Sequence, residues 1–378
     1  MRVIFRAALA ASMALALVGA GEASARTVPQ GFYGVTYDGA FADAPLTRQL
    51  PQFDLMTKSG VESIRLTFAW EVMQPVRGRK PNFSGTDVKV RLAALRGIEV
   101  LPTVLYPPYW ARKYKRRTHS PPKRNRDYAR FIRSLIRRYG PDGSFWNENP
   151  HLPFRPIQQW QIWNEPNIPE YWTAPRKSSY GWPHGYGRLL RATNKVIKEE
   201  DPDARTVFAG LTAVAWRDMR DAYRRGKVRG HFDVAALQIY PQNAAREVEA
   251  VRRMRRELVR AKDGRRSMYI TEVAFPASKG RTRRIRNQYQ QTPAGMARQL
   301  RIMFDRLGKS WRRYRLGRIY WFTWSSRYGG LSSNFEYSGL LESRYGFDFK
   351  PQPALDVFRS SAQAAQGCVK DKSAYCPP

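Results

Sequence analysis

Gln159-Trp160-Gln161-Ile162-Trp163-Asn164-Glu165-Pro166-Asn167 is the stretch from which the fold is read. Its first half is rich in aromatic and branched residues, the composition of a buried strand. Pro166 has no amide hydrogen for a sheet ladder, so the strand ends before it and leaves Asn164 and Glu165 at its carboxyl rim. The same grammar returns at Ile270-Thr271-Glu272-Val273-Ala274-Phe275-Pro276, where an apolar strand runs into a carboxylate and a proline soon follows. In a barrel, an acid at such a rim faces whatever enters the mouth. Whether the two rims share one mouth depends on the segments around them.

Working outward, strands are expected over 31–37, 61–68, 98–105, 206–210, 233–240, 267–272 and 317–324, besides the opening one. Helices are expected over 46–58, 87–96, 128–139, 186–200, 216–225, 244–262 and 353–365. Tyr128, Phe131, Ile132, Leu135, Ile136 and Tyr139 repeat at three and four residues and form one apolar face. Met296, Leu300, Met303, Phe304 and Leu307 do the same for the helix after the seventh strand. A long loop is expected over 140–155. Strict alternation of strand and helix argues for a parallel sheet, and eight repeats in this length argue for closure into a (β/α)8 TIM barrel, a single domain over 26–366. An open doubly wound sheet is the alternative, but no Gly-x-Gly-x-x-Gly follows the first strand.

The ends of the chain carry different signals. Arg2 and Arg6 flank an apolar run from Ala7 to Ala20, and Ala23-Ser24-Ala25 offers a small-residue cleavage site. Residues 1–25 therefore read as a signal peptide, with the mature protein starting at Arg26 and acting outside the cell. The two cysteines, Cys368 and Cys376, lie in the tail over 367–378, where export permits a disulfide. The four histidines are scattered without the spacing of a zinc site, so neither a metal nor a cofactor is expected.

Charge is the most unusual number: 66 Lys+Arg against 31 Asp+Glu gives +35. Such a field attracts anionic polymers, which outside a cell means wall polymers, acidic polysaccharides or lipid surfaces. The basic residues are spread over helices and loops rather than gathered in a nucleic-acid motif, so no specific nucleic-acid partner is expected.

Strands four and seven of such a barrel stand on opposite sides of the mouth. Glu165 and Glu272 can then face each other, as glycoside hydrolysis requires: one carboxyl protonates the leaving oxygen, the other attacks or activates water. Two carboxyls in one partly dry cleft also push their pKa values apart. A lone rim glutamate more often is solvated or pairs with a loop arginine. The pair is what points to chemistry.

Trp163-Asn164-Glu165-Pro166 and Thr271-Glu272-Val273 resemble the strand-four acid/base and strand-seven nucleophile signatures of the clan A retaining glycoside hydrolases. The closest flavour is family 39, the β-xylosidase and α-L-iduronidase group. Ile64-Arg65-Leu66 is similar to the strand-two arginine of the clan, and Gly339-Leu340-Leu341 with Lys350-Pro351-Gln352-Pro353-Ala354 to its run into the last helix.

That resemblance implies Glu165 as general acid/base and Glu272 as nucleophile, with Asn164 donating to the sugar 2-hydroxyl. Arg65 would hold Glu272 ionised and the Tyr240 hydroxyl would orient it. Trp324, or else Trp321, would form the platform under the sugar, with Trp70 and Tyr106 as further rim aromatics. The chain departs from the clan in lacking a histidine beside Tyr240 or directly after the third strand. The basic loop over 112–126 is expected to overhang the mouth and to recognise an acidic glycan. A transglycosylase using the same site, and a non-catalytic barrel binding anionic wall polysaccharide, stay open as alternatives.

Overall fold

The computed structural model describes residues 25–173, 181–282, 286–327, 334–343 and 346–367. The expected leader up to residue 24 and the Cys368–Cys376 bridge lie outside the described residues.

Eight strands form one closed parallel barrel in sequence order. They are β1 (Tyr33–Tyr37), β2 (Ser63–Ala69), β3 (Glu99–Leu105), β4 (Gln159–Ile162), β5 (Arg205–Val207), β6 (Val234–Gln238), β7 (Ser267–Val273) and β8 (Leu316–Trp321). Closure is made by Tyr33, Gly34 and Val35 of β1 against Ile319, Tyr320 and Trp321 of β8. The outer helices are α1 (Leu46–Lys58), α2 (Ser84–Ala94), α3 (Asn125–Tyr139), α4 (Gly181–Glu200), α5 (Ala215–Asp221), α6 (Ala244–Arg260), α7 (Pro293–Tyr314) and α8 (Pro353–Gln366). None of the described helices is long and apolar enough to cross a membrane.

The helices dock through the stripes that the sequence carries. All six members of the α3 stripe are buried, and burial of each such side chain is worth about 1.5–3 kcal/mol. Tyr128 also donates its hydroxyl to the Val104 carbonyl at 2.8 Å, which ties α3 to the strand it follows. The two helices that flank β7 begin at side-chain caps. Asn243 accepts from the Arg246 amide at 3.1 Å, and Thr292 accepts from the Gly295 amide at 3.0 Å, with Pro293 opening the first turn. Each cap satisfies an amide that helix geometry leaves without a partner.

Three departures from the expected elements bear on the mouth of the barrel. The loop over 140–155 contains a short helix, Ser144–Glu148, because Phe145 and Trp146 bury themselves there. β8 ends at Trp321, and the chain then leaves the barrel for a small side sheet in which β9 (Ser325–Arg327) pairs with β10 (Leu341–Ser343). β6 ends at Gln238, two residues short of Tyr240, and the register slips there: Leu237 pairs with Ile270 but Gln238 with Glu272. One extra residue, Thr271, is thus accommodated on β7. A bulge of this kind re-aims the side chain beyond it.

Candidate active site

The carboxyl rims of β2, β4, β6 and β7 bring one hydrogen-bonded group together. Arg65 stands mid-strand on β2 and points into the barrel, 4% exposed. Its guanidinium donates to Glu272 Oε1 at 2.6 Å, to Asn164 Oδ1 at 2.7 Å and to Gln161 Oε1 at 2.7 Å. Gln238 Nε2 donates to the same Glu272 oxygen at 2.8 Å and to Asn164 at 2.9 Å. Tyr240 donates its hydroxyl to Glu272 Oε2 at 2.5 Å. Both oxygens of Glu272 are therefore held by charged or polar donors, the kind of bonds that are shortest and strongest.

Room for this arrangement comes from Gly210. A Cβ there would lie 2.3 Å from Gln238 Cδ, so any side chain would push Gln238 off its two acceptors. The rim backbone is unusual too. Trp163 and Glu165 take positive φ values of 72° and 40°, and Tyr106 at the end of β3 one of 57°. Non-glycine residues held there cost about 1–3 kcal/mol each, and such strain clusters at functional sites. The Trp163 indole donates to the Tyr171 carbonyl at 2.7 Å and pins the loop after β4.

Glu165 and Glu272 sit in contrasting surroundings. Glu165 is buried and has no ion-pair partner among the described residues. Burial first, and the charge of Glu272 second, push its carboxyl up to about 9. Burial also pushes Glu272 up, but Arg65 and Tyr240 oppose that shift. Of the two, Glu272 is the one whose charge is stabilised by a bonded cation, so the proton of the pair resides on Glu165.

Both glutamates open onto a cleft of about 720 Å3 that also exposes Arg65, Asn164 and Tyr106. Three expected rim aromatics are elsewhere. Trp70 is fully buried, stacked on Phe131 of α3 at 5.3 Å, with its indole donating to Gln74. Trp321 is buried and donates to the Ser338 carbonyl, and Trp324 is buried and donates to Gln52 on α1. The aromatic on the cleft wall beyond β8 is Phe322, packed edge-on to Tyr240 at 5.9 Å. Phe322 takes that place because the strand stops at Trp321 and the chain turns.

One histidine does reach the cleft, from further along the chain than the position directly after β3. His119, from the loop after β3, lines the cleft between Tyr106 and Tyr171, with ring centroids 5.3 Å and 4.9 Å away. Burial holds its pKa below the usual value, so it is neutral at pH 7. It is the one described side chain of the basic loop on the cleft wall. Arg112 is spent on Glu71 and the Pro107 carbonyl, Lys115 on the Tyr109 and Trp110 carbonyls, and Arg124 on Asp127. None of the loop's eight cations lines the cleft wall, so the expected recognition of an acidic glycan has no contact from this loop inside the cleft.

Among the described residues no group of three or more His, Cys, Asp or Glu is placed to hold a metal ion. A second cavity of about 630 Å3 lies at the amino ends of β5 and β7, lined by Lys198, Arg205 and Arg266. Its ions are largely paired, Arg266 with Asp233 and Asp263, and it holds no buried acid like Glu165.

No protein-family model matches the sequence, and no curated protein matches it significantly. Solved structures do match in fold. A family 39 glycoside hydrolase from the gut symbiont Bacteroides cellulosilyticus WH2 is 16% identical, with a TM-score of 0.60 over 89% of this chain and 64% of that one. A glucosidase from Croceicoccus marinus is 12% identical, with a TM-score of 0.64 over 91% and 69%. A GH5_18 protein from Streptomyces cattleya is 17% identical, with a TM-score of 0.62 over 94% and 83%. The chain thus spans just under two thirds of the family 39 hydrolase, and what it shares with all three is the barrel.

Proposed function

We propose that the protein is a retaining glycoside hydrolase that cleaves O-glycosidic bonds by double displacement, with Glu165 as acid/base and Glu272 as nucleophile. One observation carries this reading. Two buried carboxyls on facing rims of one barrel have opposite environments, Glu272 bonded to Arg65 and Tyr240 and Glu165 left without a cation. The shared fold with glycoside hydrolases supports it.

In the first step a Glu272 oxygen attacks the anomeric carbon while Glu165 gives its proton to the leaving oxygen, so the glycosidic bond breaks as the glycosyl ester forms. In the second step Glu165, now a carboxylate, takes a proton from water. That water attacks the anomeric carbon, the ester breaks, and Glu272 leaves as carboxylate. Arg65, Gln238 and Tyr240 stabilise the departing charge in this step. Asn164 Oδ1 is occupied by Arg65 and Gln238, which leaves its amide hydrogens to donate to the sugar 2-hydroxyl. Phe322, rather than a tryptophan, supplies the apolar face under the ring.

We place the enzyme outside the cell, where its exterior charge suits association with anionic wall polymers. A screen of polysaccharides and aryl glycosides tests the reading, with the anomer of the first-formed product followed by NMR. Net retention is expected, lost in E272Q and strongly slowed in E165Q. Inversion, or turnover that survives E272Q, contradicts it.

A further inference from the structure

The cleft carries a charge opposite to that of the chain. Lys and Arg outnumber Asp and Glu by 66 to 31, yet the described wall holds six carboxyl groups and one guanidinium, that of Arg65. Arg65 is consumed by Glu272, Asn164 and Gln161, and His119 is neutral at pH 7. Two of the six carboxyls are the pair already described, and Asp43 and Glu336 have partners of their own.

Asp38 and Glu170 are different. They belong to separate loops, after β1 and after β4, and both reach the water of the cleft. Neither has an ion-pair partner among the described residues. The Gly39 amide donates to Asp38 at 2.6 Å; burial raises the Asp38 carboxyl above its usual range, opposed by that amide and the charge of Arg65, with Asp43 adding the smallest push upward. Its side chain stays open to the water of the cleft.

Thr36 supplies an independent observation. It lines the same cleft two residues before Asp38, is 4% exposed, and its hydroxyl has no hydrogen-bond partner. A buried hydroxyl left unpaired costs roughly 1–3 kcal/mol unless a ligand satisfies it. A uronate would meet net repulsion here, and a neutral sugar would satisfy hydrogen bonds while leaving the charge uncompensated. A protonated amine offers three donors and the missing positive charge.

We propose that the cleft takes a glycan bearing free amino groups, a chain of 2-amino-2-deoxy sugars. Asp38 and Thr36 receive an ammonium on the β1 side, and Glu170 attracts the chain across the mouth. This specificity rests on the reading of the cleft as a glycan site, and it excludes the N-acetylated form, whose amide is neutral and bulkier.

The test is a calorimetric titration of the E165Q protein, which can bind without turning over. The probes are glucosamine and galactosamine oligomers, their N-acetylated counterparts and a cello-oligosaccharide of equal length, in mildly acidic buffer that keeps the amines protonated. One amino oligomer is expected to bind at least about tenfold tighter than its acetylated and neutral counterparts at low salt, with the advantage shrinking as salt rises. D38N in the same background should erase most of that advantage, bringing the amino oligomer down to the affinity of its neutral counterpart. Failure of both amino oligomers to bind better than the neutral one, or a preference untouched by D38N, overturns the proposal. Covalent labelling of Glu272 in the wild-type protein reports separately on hydrolysis. Labelling without amino preference leaves the glycosidase standing and removes only the specificity.

Discussion

Removing the Arg65 guanidinium while keeping its apolar stem, as in Arg65→Met, isolates the interaction on which the site depends. The substitution takes three short bonds from Glu272, Asn164 and Gln161 and leaves Glu272 buried without a cation. Breaking a buried pair from one side costs about 3–5 kcal/mol, and for a domain of this size the melting temperature should fall on the order of 5–10 °C.

The direction with pH follows from linkage. Burial already holds Glu272 above the carboxylate range, and loss of Arg65 raises it further. A carboxyl whose folded value lies above its unfolded one contributes stability that is intact at low pH and lost as pH rises through the folded value. R65M should therefore be nearly as stable as wild type in acid and progressively worse towards and beyond neutrality.

Adding E272Q removes the orphan charge. The double variant should be more stable at pH 8 than R65M alone, and the coupling in the double-mutant cycle should reach about 2 kcal/mol or more. Denaturant melts of the four proteins at several pH values measure it. A loss in R65M that is the same at every pH, with single-mutant costs that simply add, would refute the claim that Arg65 is there to keep Glu272 charged.

Tyr240→Phe removes the donor to the other Glu272 oxygen, a bond to a charged group worth about 1.5–3 kcal/mol, so kcat should drop roughly 10–100-fold with KM little changed. An unchanged kcat would assign Tyr240 to packing. Phe322→Leu should raise KM for the preferred glycan about 3–10-fold, the worth of one aromatic face. Trp324→Phe should lower thermal stability and leave KM alone; the reverse pattern would return the platform to Trp324. Glu247 on α6 is fully buried, neither of its oxygens has a hydrogen-bond partner, and burial raises its carboxyl to about 8. Stability tied to that carboxyl is intact in acid and lost as pH climbs from about 4.5 to 8, a penalty of about 3 kcal/mol at pH 7. Glu247→Met should thus be more stable than wild type at pH 8 and lose that advantage by pH 5, and equal stability at both values would mean that the acid is solvated.

The barrel was legible because its signals are local. Proline stops after Glu165 and Glu272 mark rims, and three-and-four spacing marks α3 and α7 whatever they pack against. The candidate pair Glu165 and Glu272, with Arg65, Asn164 and Tyr240, followed from those rims and from the resemblance. What escaped depends on register and on chain path. Gln238 looks like any strand residue, and it reaches Glu272 only because β7 accommodates an extra residue at Thr271. Phe322 replaces the expected tryptophans because β8 ends at Trp321, three residues before the expected end, and the turn resets which side chain faces inward. His119 reaches the cleft from well beyond β3, through a loop whose path no periodicity encodes. The negative cleft was hidden by an average, since a composition of +35 says nothing about where 31 acids sit.

The most direct test of the double-displacement reading is to trap its intermediate's site. The wild-type protein would be incubated with a panel of glycosyl-configured cyclitol epoxides, which esterify a nucleophilic carboxylate when a neighbouring acid protonates the epoxide oxygen, and the labelled peptide would be sequenced by mass spectrometry. The expected result is a single adduct on Glu272, formed more slowly in E165Q and absent in E272Q. An adduct on Glu165, or glycan turnover in a protein that no member of the panel labels at Glu272, would contradict the assignment.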